Sequence, residues 1–286
     1  MPEPSPHAAR LFDAKGLRIV YRRPGAKPVE AVRGVDFTLD EGETLGIVGE
    51  SGSGKSTIAK ALMLLQPIEA GQVLFDGRDI TRLDSAGRRA YRRDVQMVFQ
   101  DAAGSLNPRM TIRQTLDEVI RHTMGGVRGR QDSRTSQRPE DLLSIVGLSE
   151  AVLDQYPREL SGGQCQRVSF ARALAAGPRV LVADEPVSAL DVSVQARILN
   201  LLRDLRRNLN LAVILIAHDL AVVRNVCDRV CVMHHGVFED AGPAEEVFAH
   251  PTSDYTRKLL DAVPDVARAL QSRGTSLASS GFSQKR

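Results

Sequence analysis

The nine residues GESGSGKST at 49–57 constrain the chain more than any other segment. They satisfy the pattern G-x-x-x-x-G-K-[ST] and stand between a strand-like stretch, ETLGIV, and an apolar helix expected from Lys55 to about Leu65. Gly49, Gly52 and Gly54 have no side chains, so the backbone can take positive φ and turn successive N–H groups inward around an anion. The helix adds the partial positive charge of its N-terminus. Such a loop is a phosphate cradle, with Lys55 placed to meet the β- and γ-phosphates of a nucleoside triphosphate and Ser56 to ligate the accompanying Mg2+. Glu50, Ser51, Ser53 and Thr57 complete it.

The remaining pattern supplies a sheet for the loop. With 286 residues and 42% apolar content the chain is long enough for one large α/β domain or two small ones. Residues 17–48 alternate apolar and polar positions around Gly and Pro, which predicts several short strands. Further strands are expected at 72–76, 95–99, 179–183 and 211–217, and helices at 111–122, 139–147, 162–176 and 192–207. A hairpin around Gly236 and a short helix near 244–249 follow. Strand and helix alternate, which favours a parallel sheet. Residues 124–139 read as a loop, and 271–286 have little to bury and are expected to be disordered.

Composition removes several alternatives. Lys plus Arg total 38 against 35 for Asp plus Glu, a net charge of +3, which argues against a nucleic-acid partner. The Arg clusters at 88–93 and 203–207 read as charged faces of amphipathic helices. Three cysteines in so long a chain point to a reducing compartment. A zinc site from Cys227, Cys231, His234 and His235 would need a continuous helix where the sequence reads strand and turn, so these thiols are expected to be buried in a sheet, with Cys165 packed in a helix. The N-terminus carries no run of signal-peptide length, and the longest aliphatic run, Leu211 to Ala217, is short of the ~20 residues of a membrane helix. No direct membrane insertion is expected.

Two carboxylates end the apolar run VLVADE at 180–185. Beside a phosphate loop, Asp184 would hold Mg2+ through water and Glu185 would orient or deprotonate an attacking water. Gln100 follows the strand VQMVF and His218 follows LAVILIA. Ligands collect at the carboxyl ends of strands in open parallel sheets, so Gln100 is expected to face Mg2+ and water, and His218 a phosphate oxygen.

With LSGGQ at 160–164 these motifs, in this order, resemble an ABC-transporter ATPase subunit. The resemblance spans residues 9–262 and leaves 263–286 as a C-terminal tail. It implies an α/β P-loop NTPase fold with a RecA-like parallel-sheet core, an N-terminal antiparallel β subdomain and a helical subdomain inserted at about 101–176. It implies ATP and Mg2+ as ligands, with Tyr21 as the aromatic that stacks on adenine. It further implies that Ser161, Gly162, Gly163 and Gln164 act in trans on a partner's γ-phosphate. Two ATPs would then lie between head-to-tail subunits, with Asp191 of SALD communicating across the seam.

Four segments resemble the importer subfamily for dipeptides, oligopeptides, nickel and opines: YRRDVQMVFQD at 91–101, SLNPRMT at 105–111, DEPVSALDVSVQA at 184–196 and HPTSDYTRKLL at 250–260. The first is more similar to the second of two non-identical ATPases. This implies a heterodimer, two membrane permeases whose coupling helices dock on 101–122, and an extracytoplasmic substrate-binding protein. The chain would sit peripherally on the cytoplasmic face of the inner membrane. Ala102 stands where that subfamily has Pro, and SDYTR where HPYTR is common. No Cys follows Arg257, so no iron–sulfur cluster is expected. Peptides are the leading cargo, nickel or opines the alternative. A soluble ABC protein of DNA repair or translation fits less well, because there is one set of motifs and no room for a long coiled coil between them.

Overall fold

Period-two alternation at the N-terminus builds antiparallel structure. In the computed structural model, which describes residues 10–124, 138–188 and 190–262, β1 (Arg10–Tyr21) pairs antiparallel with β2 (Val29–Asp40). The several short strands expected in 17–48 are therefore two long ones and β3 (Thr44–Val48). Register shifts near Gly16 and Gly34 absorb the glycines that read as breaks. α1 (Lys55–Leu62) stops short of Leu65 because Leu64 turns left-handed at φ 56°. β4 (Ala70–Phe75) joins the other edge of β1, and β5 (Arg78–Asp79) joins β4.

The continuous apolar runs form a second, six-stranded sheet in the order β10 (Val237–Pro243), β9 (Arg229–His234), β3, β8 (Ala212–Ala217), β7 (Val180–Asp184), β6 (Val95–Val98). α2 (Ser85–Asp94) leads into β6 (Val95–Val98). Between β6 and β7 (Val180–Asp184) come α3 (Ile112–Met124), α4 (Pro139–Ile145) and α5 (Gly162–Leu174), with no strand among the described residues. α6 (Val192–Leu209), β8 (Ala212–Ala217), α7 (Leu220–Val226) and β9 (Arg229–His234) continue the winding. The hairpin partner β10 (Val237–Pro243) is antiparallel to β9, and α8 (Ala244–Ala249) and α9 (Asp254–Asp261) close the described chain. β3, β6, β7, β8 and β9 run parallel. Strands buried on both faces need no alternation, which is why VLVAD and AVILIA are apolar almost throughout.

The pleat divides the core in two. Ile47, Met97, Val182 and Ile214 pack with Ile58 and Leu62 of α1 and with Leu17 of the antiparallel sheet. Val48, Leu181, Leu215 and Val232 face the other way, against Val168 and Phe170 of α5 and Ile198 of α6. α1 and α5 thus root on opposite faces of one sheet.

The Arg clusters fall on α2 and α6. Cys231 lies buried in β9, and burial pushes its thiol up to about 12. Cys165 is buried in α5. Cys227 departs from expectation: it is buried, but at the end of α7 rather than in the sheet. No helix among the described residues is long and apolar enough to cross a membrane. Residues 125–137 of the expected loop and the expected tail at 263–286 lie outside the described residues.

Candidate functional site

Strand register brings the candidate residues to one edge. Val48 pairs with Ala217, Asp184 with Ile216, and Val98 with Ala183. The residues that follow these partners, Gly49, His218, Glu185 and Gln100, therefore leave the sheet side by side at its carboxyl end.

The loop after β3 is tightly walled. Gly49 has φ 151°, and a Cβ there would lie 2.0 Å from the Met233 carbonyl oxygen. Gly54 has φ 116°, and its Cβ would lie 2.4 Å from the Ala31 carbonyl oxygen. Neither position admits a side chain. Gly236 N–H donates to the Ser53 carbonyl at 2.9 Å, and Glu50 N–H donates to the Tyr255 hydroxyl at 3.2 Å. Lys55 is buried, with Nζ donating to the carbonyls of Gly49 and Glu50 at 2.7 Å each. Burial lowers its pKa, against the opposing pull of Glu185, Asp184 and Glu50. Gly54 caps α1 without a side chain, so its orphan N–H groups meet no side-chain acceptor. Ser51 and Gly52 lie exposed at the tip, and Thr57 Oγ1 lies 3.3 Å from the Tyr21 hydroxyl. Tyr21 therefore sits at the start of α1.

The two acids part company. Val180 and Val182 belong to the α1 face and Leu181 and Ala183 to the α5 face, so the alternation sends Asp184 and Glu185 to opposite sides. Asp184, 6% exposed, accepts from the Ser56 hydroxyl at 2.9 Å. Desolvation raises its pKa, the Ser56 bond opposes that, and the neighbouring Glu185 charge adds to it. Glu185 accepts from the Gln100 amide at 2.9 Å, and His218 Nδ1 lies 3.7 Å from the same oxygen. Its backbone is left-handed at φ 46°, a conformation that costs a non-glycine residue about 1–3 kcal/mol. The turn is held by Glu185 N–H to the Ile216 carbonyl and by the Ser188 hydroxyl to the Glu185 carbonyl.

The LSGGQ segment is a finished helix start. Ser161 Oγ accepts Gln164 N–H at 3.3 Å, and Gln164 Oε1 accepts Ser161 N–H at 2.9 Å, a capping box. A Cβ on Gly163 would lie 2.6 Å from Val194, and one on Gly162 would lie 3.7 Å from Leu190, so this helix start packs against the segment around Asp191. Asp191 caps α6 through Val194 N–H. Gly162, Gln100 and Ser188 line a common cleft of about 390 Å³. Among the described residues no hydrogen bond or ion pair joins residues 160–164 to residues 49–57.

The ABC transporter family profile matches residues 32–188. The chain belongs to the ABC transporter family. Its relatives include the oligopeptide transport ATP-binding protein OppF of Lactococcus lactis, 46% identical over 274 residues that cover 93% of this chain and 84% of that protein. OppF of Escherichia coli is 48% identical over 88% of this chain and 75% of its own length. Among solved structures, the ATP-binding cassette MJ0796, a dimer bound to ADP and Pi, is similar with a TM-score of 0.70 at 30% identity. That match covers 82% of this chain and 99% of the other. This ABC ATPase fold is the α/β architecture the motifs implied. Ser188, Gly236 and Tyr255 also touch the site, and the sequence marks none of them for it: Gly236 signals a hairpin turn, and Tyr255 lies in a subfamily-like segment.

Proposed function

We propose that this chain is the ATP-hydrolysing subunit of a bacterial importer of dipeptides or oligopeptides. The observation that carries the hydrolytic reading is Glu185, strained and exposed to two polar partners, Gln100 and His218, beside a phosphate loop and across the strand from Asp184. The cargo reading rests on the peptide-transport relatives, 46% and 48% identical across most of the chain.

In this reading the domain spans 9–262, with the helical subdomain about 101–176 inserted. The loop N–H groups and Lys55 neutralise the triphosphate, and Tyr21 stacks on adenine. Glu185 takes the proton of the attacking water, Gln100 orients that water, and His218 contacts the terminal phosphate. Ser56 and Asp184, a hydroxyl and a buried carboxylate 2.9 Å apart, suit Mg2+ as hard oxygen donors, and Gln100, whose amide nitrogen is held by Glu185, would add its side-chain oxygen. Bound there, Mg2+ would neutralise charge developing on the phosphates.

Ser161, Gly162, Gly163, Gln164 and Asp191 complete a second subunit's site, the partner ATPase being a non-identical chain. Two membrane permeases and an extracytoplasmic binding protein handle the peptide, which leaves this subunit peripheral on the cytoplasmic face of the inner membrane. Uptake of a radiolabelled tripeptide should vanish in cells lacking this chain and return on expression of the parent chain but not of Lys55→Ala. Retained peptide uptake with loss of nickel uptake would overturn the cargo.

A further inference from the structure

Tyr255, in the segment 250–260, touches the loop at 49–57 although the resemblance gives it no part in the nucleotide site. Its hydroxyl accepts Glu50 N–H across 205 residues of chain. Its ring stacks on His234, centroids 3.9 Å apart and planes 16° from parallel, and the His235 ring lies 3.9 Å from that of His234 at a tilt of 40°. The segment before α9 is itself fastened. Asp240 on β10, 7% exposed, accepts from the Thr252 hydroxyl, from Thr252 N–H at 3.2 Å and from Ser253 N–H at 3.1 Å. Ser253 then caps α9 through Thr256 N–H at 3.0 Å, and Thr256 is fully buried.

The contact has a consequence for Lys55. Glu50 N–H and the Gly49 carbonyl belong to one trans peptide unit and point in opposite directions. The N–H is taken by Tyr255, and the carbonyl seats the Lys55 ammonium at 2.7 Å. Rotation of that peptide plane would break both bonds at once. We propose that Tyr255 is a positioning residue for nucleotide binding, fixing the Gly49–Glu50 peptide and through it the seat of Lys55. The inference rests on reading residues 49–57 as the ATP site.

The test measures the Kd of trinitrophenyl-ATP by fluorescence on the purified full-length chain with Mg2+, and the KM and kcat of ATP hydrolysis on the assembled transporter that contains it. Tyr255→Phe keeps the ring on His234 and removes the acceptor. It should raise Kd and KM about three- to ten-fold, the loss expected for one hydrogen bond, with kcat within about two-fold of the parent. Asp240→Ala, which frees α9, should raise Kd in the same direction. Unchanged Kd and KM in Tyr255→Phe would overturn the proposal whatever the melting temperature does, because α9 would then be only a structural brace. Lys55→Ala run in parallel separates the two readings. If it binds nucleotide like the parent, the ATP site is misplaced; if it loses nucleotide while Tyr255→Phe does not, only the role of Tyr255 fails.

Discussion

Two helix N-termini, those of α1 and α5, differ in how their first N–H groups are satisfied. α1 starts at a left-handed Gly54 with no side-chain cap and a buried Lys55. α5 starts at Ser161 in a reciprocal box with Gln164. The first is stable only because β2, β9 and α9 wall it in, and its N–H groups are left for a ligand. The second is already self-satisfied, and because Ser161 Oγ serves as an acceptor there, its hydroxyl hydrogen is free to donate outward. In the proposed function the first is a binding site within the chain, and the second a surface offered to another subunit.

The largest effect that would sharpen this contrast is on chemistry. Glu185→Gln should lower kcat about 10²–10⁴-fold while ATP affinity holds, so that an ATP-bound dimer accumulates on size-exclusion chromatography. A variant that loses nucleotide as well would mean that Glu185 shapes the loop rather than the reaction. Lys55→Ala should weaken ATP binding by the diluted chain about 10–100-fold in equilibrium titrations, the worth of a charge-assisted contact.

Ser161→Ala is the discriminating case. Loss of the cap should lower the melting temperature by about 2–4 °C, and hydrolysis by the assembled transporter should fall. Nucleotide binding by the dilute chain should stay at the parental level, and a loss there would collapse the distinction between the two helix ends. The smallest effect is on stability. The folded-state pKa of Asp184 lies above the ordinary 3.8, so the folded chain holds this proton more tightly than the unfolded one. Its contribution to stability is therefore present at low pH and falls as pH rises from 3.8 through the folded value. Asp184→Asn removes that penalty and keeps an acceptor for Ser56. Calorimetry at neutral pH without nucleotide should show a melting temperature higher by about 1–3 °C, with hydrolysis lost.

What sequence could disclose was local. The phosphate loop declares itself because its glycines, lysine and hydroxyl are contiguous, and VLVADE because a doubly buried strand must be apolar until it ends. The sorting of Asp184 from Glu185 was also available, since adjacent residues of a strand face opposite ways. The left-handed turn at Glu185 was not, because nothing in DEP requires positive φ and the conformation is imposed by the Ile216 and Ser188 bonds. α7 and α9, seven and eight residues long, are not called from the sequence. Tyr255 was hidden for a different reason: a ring stacked on His234 and a bond to Glu50 exist only once distant segments meet.

That distance has a consequence for synthesis. β3, which carries the nucleotide loop, lies between β8 and β9, and its first N–H, at Thr44, is held by Asp228, 184 residues downstream. The loop is therefore made early on the ribosome and completed last. Until β8, β9 and α9 have emerged, the apolar edge of β3 is unpaired and the emerging chain has the high contact order that slows folding and invites aggregation. If the loop at 49–57 holds ATP as proposed, the nucleotide is expected to stabilise the finished domain rather than to template its early folding.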